Sequence, residues 1–400
     1  MDVSPAPLLK TRSEMATRRI AVVTGSRAEY GILHWLLCDM QEDPDLDLRL
    51  IVTGMHLSSE FGMTVRDIEK DGLPIARRVE MLLSSDSPGG VAKSLGLGVI
   101  GMSEALEELK PDMVLLLGDR FEILAAAQAA LIHTIPVGHI AGGDTSEGAF
   151  DESIRHAITK MAHFHFVTHA SSGARVLQMG ENPDRVFVVG HLGLDHMNRL
   201  PLMGRAALEE SLGASLGTKN LLVTFHPETL EPSAGETQLG ELLAALHDLP
   251  PEIVLWITKP NADPGGRALA RQLEGWCEMH SNRAHLHTSL GHLRYLSLMA
   301  QVQAVVGNSS SGLYEAPSFQ IPTVDVGDRQ KGRLSAESVL HCPPERRAIG
   351  DTLRRALALD CSGVVNPYGD GRTSGRILEI LKSIPLTRDT LKKPFFMRQT

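Results

Sequence analysis

Cysteine and positive charge are both scarce in this sequence of 400 residues. Its four cysteines, Cys38, Cys277, Cys342 and Cys361, form no CxxC pair. That spacing excludes the usual pattern of a thiolate zinc site or a disulfide framework. Lys and Arg number 39 against 48 Asp and Glu, which gives a formal net charge of -9. We therefore expect no nucleic-acid partner and no polybasic membrane patch, and any anionic ligand must be held by local groups.

Long apolar runs are also missing. No stretch approaches the roughly eighteen apolar residues of a membrane span, and the first residues lack the apolar core of a signal peptide. We expect a cytoplasmic protein in which residues 1–18 form a disordered extension. The remainder, with 42% hydrophobic and 22% charged residues over the whole chain, is typical of a globular chain large enough for two domains.

Short apolar runs alternate with helical patterns from Arg19 onward. Runs in the first half begin at Ile20, Leu48, Met113, Ile135 and Phe164, and a second series begins near Asn220. The alternation predicts an α/β fold with two doubly wound, Rossmann-like domains that face each other across a cleft. Proline and glycine between Asp195 and Lys219 favour a boundary there. We predict an N-terminal domain over 19–197, a C-terminal nucleotide-binding domain over 198–375, and a C-terminal helix and tail over 376–400.

Ligands of such folds bind at the carboxyl ends of the strands, so polar residues at those ends are candidates. The segment TGSRAEYG follows the first predicted strand and opens a helix, where Arg27 and backbone amides can meet an anionic ligand. It does not match GxGxxG, so NAD binding is not indicated. The alternative is a glycine-assisted turn with Arg27 as a solvated charge.

The segment GNSSSGLYEAPS is the strongest local signal for phosphate binding. Small residues, including Ser309 and Ser310, precede a predicted helix, and Glu315 lies further along, where a carboxylate can accept hydrogen bonds from a ribose. An elaborate helix cap is the alternative. In VGDRQKGR, Arg329, Lys331 and Arg333 suit a diphosphate, or form a solvated basic loop.

Carboxylates cluster at two further strand ends. GDRFE and HIAGGD bring Asp119, Arg120, Glu122 and Asp144 to consecutive strands, where they can converge on one sugar ring. Asp151, in FDESIRH, is either a part of this group or a helix-terminal carboxylate with a structural role.

Two further segments, FHPE and HFHFVTH, contain histidines. His226, in FHPE, can donate to a diphosphate or relay a proton, or is a satisfied polar group. HFHFVTH contains His163, His165 and His169, but aromatic neighbours and the lack of an HExxH motif favour core histidines over metal ligands.

Taken together, TGSRAEYG, VTGMH, LGDRFEI, DESIRHAITKMAH, FHPET, NAD, GNSSSGL and GDRQKGR resemble the hydrolysing UDP-N-acetylglucosamine 2-epimerases of sialic-acid and nonulosonic-acid pathways. The similarity runs in order from about Arg19 to Arg333. It implies a glycosyltransferase-B-like fold, a UDP-sugar substrate, a homo-oligomer (dimer or tetramer), and no metal or redox cofactor. Non-hydrolysing relatives carry a GTRPE-like first turn where this chain reads GSRAE, which favours hydrolysis.

The resemblance assigns roles residue by residue. The implied substrate and nucleotide contacts are Arg27, His56, Arg120, Ser309, Ser310, Glu315 and Arg329. The implied catalytic residues are Asp119, Asp144, Asp151 and His226. Some family members have Glu, a candidate base, where this chain has Ala141, so the role of base passes to Asp144 or Asp151.

The implied reaction is elimination of the diphosphate to a glycal, followed by addition of water, which yields UDP and free N-acetylmannosamine. A UDP-linked or GDP-linked 2,4-diacetamido sugar, as used by the N,N'-diacetylbacillosamine 2-epimerases, is an alternative substrate. A UDP-sugar glycosyltransferase and a catalytically silent nucleotide-sugar sensor share the fold and stay open as alternatives.

Overall fold

The computed structural model describes residues 17–85, 87–145, 151–227, 234–260 and 266–397. Contacts divide these residues into two compact units. The first comprises residues 17–144, 151–193 and 372–397, and the second comprises residue 145 and residues 194–371. The C-terminal helix thus returns to the first unit.

The first unit contains a parallel sheet of seven strands in the order β3-β2-β1-β4-β5-β6-β7. The strands are β1 (Arg18–Thr24), β2 (Leu46–Thr53), β3 (Ile75–Val79), β4 (Met113–Leu117), β5 (Val137–Ile140), β6 (Phe164–Val167) and β7 (Val186–Val188). Its helices are α1 (Arg27–Glu42), α2 (Val65–Lys70), α3 (Pro88–Leu109), α4 (Phe121–Ile132), α5 (Asp151–Met161), α6 (Ala170–Gln178) and, numbered by its place in the chain, α14 (Thr373–Ser383). The strand order reverses between β1 and β4, which is where ligands bind in such sheets.

Buried aliphatic side chains cover both faces of this sheet. Every residue of β4 is buried, because a central parallel strand is packed on both sides. Ile377 and Leu381 of α14 belong to the same core as Leu33 and Leu37 of α1. The opposite face is packed by α3 and α4. The C-terminal helix is therefore part of the core of the first unit.

The second unit contains a parallel sheet of six strands in the order β10-β9-β8-β11-β12-β13. The strands are β8 (Lys219–Thr224), β9 (Ile253–Thr258), β10 (Ala284–His287), β11 (Ala304–Gly307), β12 (Thr323–Val326) and β13 (Val339–Cys342). The helices are α7 (Asp195–Arg199), α8 (Arg205–Leu212), α9 (Ala234–His247), α10 (Gly266–Met279), α11 (Gly291–Met299), α12 (Ser311–Tyr314) and α13 (Arg346–Ala358). Here the order reverses between β8 and β11.

The two-sheet α/β fold confirms the prediction, and every strand expected from an apolar run is present. Three further strands, β3, β7 and β13, escaped the sequence analysis. All three lie at sheet edges, where one side of the strand is unpaired. β3 and β13 contain polar residues, and β7 is a run of only three residues. Arg18, expected in the extension, is the first residue of β1. Residues 1–16 of that extension lie outside the described residues.

Two other comparisons with the sequence analysis concern the end of the chain and the membrane. The last helix begins at Thr373, within the range predicted for the second domain, and packs on α1 of the first unit. Within the described ranges, no helix is long and apolar enough to cross a membrane.

Candidate active site

The turn after β1 is held by side chains of α1. Ser26 caps the helix by accepting a hydrogen bond from the Glu29 amide at 3.3 Å, and the Gly25 amide donates to Glu29 Oε2 at 2.8 Å. Arg27, the first residue of α1, has a side chain that is 79% exposed and lies 3.8 Å from Asp67. Arg27 is therefore available to a ligand.

Two buried glutamates meet beside this turn. Glu122 is fully buried, and a Cβ on Gly25 would lie 2.3 Å from Glu122 Cγ, so only glycine fits there. Burial, and then the charge of Glu122, raise the pKa of Glu29 to about 7. Glu29 Oε1 and Glu122 Oε2 are buried without a hydrogen-bond partner among the described residues. Near neutral pH, Glu29 therefore exists as a mixture of carboxylic acid and carboxylate.

Arg120 is bound to this pair of glutamates. Its Nε atom lies 2.6 Å from Glu122 Oε1. Burial lowers the pKa of Arg120, but the charges of Glu122, Glu29 and Asp151 together raise it above its usual value. The guanidinium is thus a permanent cation among three carboxyl groups, which fixes its orientation.

His56 is buried behind the same turn. Its Nε2 lies 3.1 Å from Thr24 Oγ1, and its Nδ1 lies 2.8 Å from Thr64 Oγ1. Burial lowers the pKa of His56 to about 4, so the ring is neutral at physiological pH. The structure places His56 as a neutral support for the turn.

Asp119 follows β4 and forms an ion pair with Arg155 of α5. Arg155 is buried, and its Nη1 also donates to the backbone carbonyl of Asp144 at 2.7 Å. One arginine therefore joins the ends of β4 and β5 to α5. The Asp119 side chain remains 22% exposed, so a ligand can reach it.

The two candidate bases, Asp144 and Asp151, have different surroundings. Asp144 Oδ1 accepts hydrogen bonds from Thr168 Oγ1 at 2.6 Å and Ser172 Oγ at 2.5 Å. Asp151 begins α5, and burial raises its pKa, although the charge of Arg120 opposes the shift. A raised pKa makes a carboxylate a stronger base, so Asp151 is better suited to proton transfer.

Ala141 lies between these groups in the chain and has a left-handed backbone with φ of 63°. Its amide donates to the Phe166 carbonyl at 3.0 Å, which ties the loop after β5 to β6. The methyl group is partly buried against the core. No acid–base chemistry can come from this position.

In the second unit, Gly307 and Asn308 connect the end of β11 to the end of β8. A Cβ on Gly307, whose φ is 128°, would lie 1.9 Å from the Thr224 carbonyl oxygen. The buried Asn308 side chain accepts from the His226 amide at 2.7 Å and donates to the His226 carbonyl at 2.9 Å. The FHPE and GNSSSG motifs are therefore neighbours in space.

The serine loop (residues 308–311) follows directly. Tyr295 Oη lies 2.6 Å from Ser311 Oγ, which donates to Ser309 Oγ at 3.1 Å. Ser310 precedes α12 without making a side-chain cap, so the helix-cap alternative does not describe it. Because α12 has only four residues, its dipole is small, and anion binding must depend on the amides and hydroxyls of the loop.

Of the three basic residues after β12, Arg329 is the one bonded to the serine loop. Its Nη1 donates to the Asn308 carbonyl at 3.1 Å, and Gln330 Nε2 donates to the same oxygen at 2.8 Å. Lys331 instead pairs with Asp328, and Arg333 bonds Gln330 and lies over the Tyr314 ring. The cation best placed to meet a phosphate at the serine loop is therefore Arg329.

Glu315 ends α12 and has a carboxyl oxygen, Oε2, that is buried without a hydrogen-bond partner in the described part of the chain. Burial raises the pKa of Glu315 to about 8. A buried acceptor without a partner is costly unless a ligand supplies the hydrogen bond. A ribose diol would satisfy this group.

The histidines of HFHFVTH are buried side chains of the first unit. His163 Nδ1 accepts from the Val137 amide at 3.2 Å, His165 Nε2 lies 2.9 Å from Glu181 Oε2, and His169 caps α6. Among the residues described here, no group of three His, Cys, Asp or Glu side chains is arranged to hold a metal.

The residues of these two sites that were missed by the sequence analysis include Glu29, Tyr295, Asn308 and Gln330. Glu29, Asn308 and Gln330 lie inside motifs that were recognised. Their position next to the candidate residues of those motifs could have indicated that they belong to the sites. Tyr295 is in α11, which carries no motif, and only the fold brings its hydroxyl to the serine loop.

Comparisons with known proteins identify the family of this chain. The family model of UDP-N-acetylglucosamine 2-epimerase matches residues 38–382. A GDP/UDP-N,N'-diacetylbacillosamine 2-epimerase (hydrolyzing) from Campylobacter jejuni is 40% identical over 326 residues, which are 82% of this chain and 84% of that protein. A UDP-N,N'-diacetylbacillosamine 2-epimerase (hydrolyzing) from Legionella pneumophila is 36% identical over 378 residues, 94% of this chain and 98% of that protein.

Among solved structures, UDP-GlcNAc 2-epimerase from Neisseria meningitidis bound to UDP-GlcNAc is similar, with a TM-score of 0.73 and 20% identity. The match covers 91% of this chain and 99% of that structure, and at this identity it supports the fold. The chain belongs to the UDP-N-acetylglucosamine 2-epimerase family and, with its relatives above 30% identity, to the hydrolysing group.

Proposed function

We propose that this protein is a hydrolysing 2-epimerase that converts UDP-N-acetylglucosamine and water to UDP and free N-acetylmannosamine. The observation that carries the proposal is the serine loop with Arg329 beside it and the buried carboxyl of Glu315 next to it. These groups suit a diphosphate and a ribose. The sequence-based expectations of a cytoplasmic location and a homo-oligomer remain part of the proposal.

In the proposed first step, Asp151 removes the proton at carbon 2 while the bond between carbon 1 and the diphosphate oxygen breaks. Ser309, Ser310 and Arg329 stabilise the charge that develops on the departing UDP. The raised pKa of Asp151 matches its role as base. Asp119, fixed by Arg155, stabilises positive charge at carbon 1.

In the second step, water adds to carbon 1 of the glycal and a proton returns to carbon 2 on the opposite face. His226, held through its backbone by Asn308, is proposed to act in the first step, where it protonates the diphosphate oxygen as its bond to carbon 1 breaks. Asp144 is proposed to act on the attacking water, from the position that Thr168 and Ser172 give it. Atoms balance as substrate plus one water giving UDP and the free epimer.

The names of the relatives favour a second substrate for the same chemistry. A UDP-linked or GDP-linked N,N'-diacetylbacillosamine is supported by two relatives that carry this substrate in their names. Purified protein should be offered each UDP-sugar and GDP-sugar in turn, and the free sugar identified by NMR. Release of UDP without any added acceptor would argue against the glycosyltransferase alternative.

The mechanism is tested by running the reaction in deuterated water enriched in oxygen-18. We expect deuterium at carbon 2, heavy oxygen at carbon 1, and unlabelled UDP. Heavy oxygen in UDP would mean attack at phosphorus, and a product with hydrogen retained at carbon 2 would rule out proton exchange. A control incubation of the product alone excludes later exchange.

A further inference from the structure

The chain beyond α14 lies across the C-terminal end of α5, and we call residues 384–397 the C-terminal strap. The family model ends at residue 382, before the strap begins. The Phe396 amide donates to the Gly180 carbonyl at 2.9 Å, and the Phe395 ring occupies the space next to Gly180, where an added Cβ would lie 2.4 Å from the ring. Lys160 of α5 lies 5.2 Å above the Phe395 ring.

Lys393 places its ammonium group on the last carbonyls of α5. Its Nζ lies 2.6 Å from the Ala162 carbonyl, 2.7 Å from that of Lys160 and 3.3 Å from that of Thr159. Carbonyls at the end of a helix lack partners within the helix, and a cation there interacts favourably with the helix dipole. Lys393 therefore caps α5 from a distant part of the chain.

The same ammonium group contacts a buried anion. Lys393 Nζ lies 2.8 Å from Glu181 Oε2, and Glu181 is also bound by His165 at 2.9 Å and Lys160 at 2.5 Å. Burial alone would raise the pKa of Glu181, but the hydrogen bonds from His165, Lys160 and Lys393 lower it to about 2. Removing the Lys393 charge would leave a buried carboxylate with fewer partners, which destabilises this end of α5.

A chain of hydrogen bonds leads from this end of α5 to the candidate site. Thr159 Oγ1 lies 3.1 Å from His139 Nδ1, and His139 Nε2 lies 2.7 Å from the Gly118 carbonyl, which precedes Asp119. Burial lowers the pKa of His139 to about 3, so the ring is neutral. Since a carbonyl only accepts, the ring proton is on Nε2. His139 Nδ1 and the Arg155 carbonyl, to which Thr159 Oγ1 donates at 2.9 Å, both face the single hydroxyl proton of Thr159.

The other end of α5 carries the proposed chemistry. The helix has 11 residues, about 16 Å at the rise of an α-helix, so both ends belong to one short rigid element. Asp151 begins it, and Arg155, one turn later, pairs with Asp119. A shift of α5 along its axis would move both groups.

We propose that Lys393 is a positioning residue: it anchors the C-terminal end of α5 and so holds Asp151 and the Arg155–Asp119 pair in place for catalysis. This inference rests on the proposed function for its catalytic consequence. Lys393 itself contacts Glu181 and the carbonyls of residues 159–162, and its effect on the reaction passes through α5.

The test compares Lys393→Met with Lys392→Met in the full chain. Lys392 is the neighbouring lysine, exposed and paired only at the surface with Asp389 at 2.7 Å. We expect Lys393→Met to lower kcat on the order of tenfold to a hundredfold, because small displacements of reacting groups cost that much. KM should change less than about twofold, since the proposed nucleotide contacts of the second unit are untouched, and Lys393→Arg should recover most of kcat.

Hydrogen exchange separates the anchoring from the reaction. Amides of α5 should exchange faster in Lys393→Met than in Lys392→Met, while amides of α9 stay unchanged. Equal α5 exchange in the two variants, or a Lys393→Met enzyme with the kcat of Lys392→Met, would overturn the proposal. If the wild type produces no free sugar, the proposed function fails, and α5 exchange still decides whether Lys393 anchors the helix. Should Lys393→Met not fold, Lys393→Gln retains an N–H donor for the same comparison.

Discussion

The two units place their candidate residues in different chemical surroundings. In the first unit, charged groups are buried together: Arg120 lies beside Glu122, Arg155 pairs with Asp119, and the pKa of Asp151 is raised by burial. In the second unit, the serine loop is built mainly from hydroxyl and amide groups, and Arg329, which donates to the Asn308 carbonyl, is exposed.

This difference indicates that the two sets of residues have different chemical roles. Buried carboxyl groups with shifted pKa values are suited to proton transfer, whereas neutral donors aimed at one point bind an anion without taking its proton. We therefore expect changes at Asp119 and Asp151 of the first unit to affect turnover, and changes at the serine loop and Arg329 of the second unit to affect nucleotide affinity. His226, in the second unit, is the proposed exception because it acts on the departing diphosphate.

The largest expected effect comes from Asp119→Asn. We expect turnover to fall about a hundredfold or more, because the substitution removes the charge that faces the reacting carbon. UDP affinity, measured by calorimetry, should stay within about twofold. The control is Glu108→Gln, which removes a carboxylate from a surface ion pair in which Glu108 lies 3.1 Å from Arg77. Near-normal turnover in folded Asp119→Asn protein would remove Asp119 from the mechanism.

The second effect is the loss of nucleotide affinity in Arg329→Ala. A charge-assisted hydrogen bond contributes about 1.5–3 kcal/mol, so the Kd for UDP should rise about tenfold to a hundredfold. Ser310→Ala removes a neutral donor and should cost less, about tenfold at most. The control is Lys219→Ala, because Lys219 is exposed at the amino end of β8. It tests whether the loss of any positive charge lowers UDP affinity. Calorimetry with unchanged UDP affinity in both site variants would contradict the phosphate-loop assignment.

The smallest effect concerns pH and Glu315. Its pKa is about 8 without ligand, and hydrogen bonds from a ribose to the carboxylate would lower it in the complex. UDP binding should then release a proton, so affinity should rise about fivefold or more between pH 6 and pH 8 through this group.

Glu315→Gln separates this proton from the titration of UDP itself. The variant cannot ionise at this position, so it should retain only the pH dependence that comes from the phosphate of UDP. Calorimetry in buffers of different ionisation enthalpy measures the proton release. Identical release by wild type and variant would show that Glu315 does not meet the ribose.

All of the central strands were predicted, whereas three of the four edge strands were not, β10 being the exception. The run MVLLL of β4 is apolar throughout because both faces are covered. IARRV of β3 and VLHC of β13 carry polar residues, since an edge strand is covered less completely. Their strand state depends on pairing with β2 and β12, respectively, which no local pattern records.

Site residues divide in the same way. The motifs located strand-end residues in each unit: Asp119 in the first, and Ser309 and Arg329 in the second. They did not reveal that Arg155 would pair with Asp119, that Asn308 would hold His226, or that the helix after the serine loop would be a single turn. The first two facts depend on segments that are far apart in the chain.

The sequence by itself determined the α/β class, the two series of strands and the motifs that identify the family, because these follow from local periodicity and from residue types at strand ends. Only the tertiary structure decided which carboxyl groups are buried, which cation meets which anion, and where the C-terminal strap docks. The physical reason is that pKa shifts and ion pairs depend on distance and desolvation in space. Lys393 and Thr159, 234 positions apart, meet only because the last helix packs on the first.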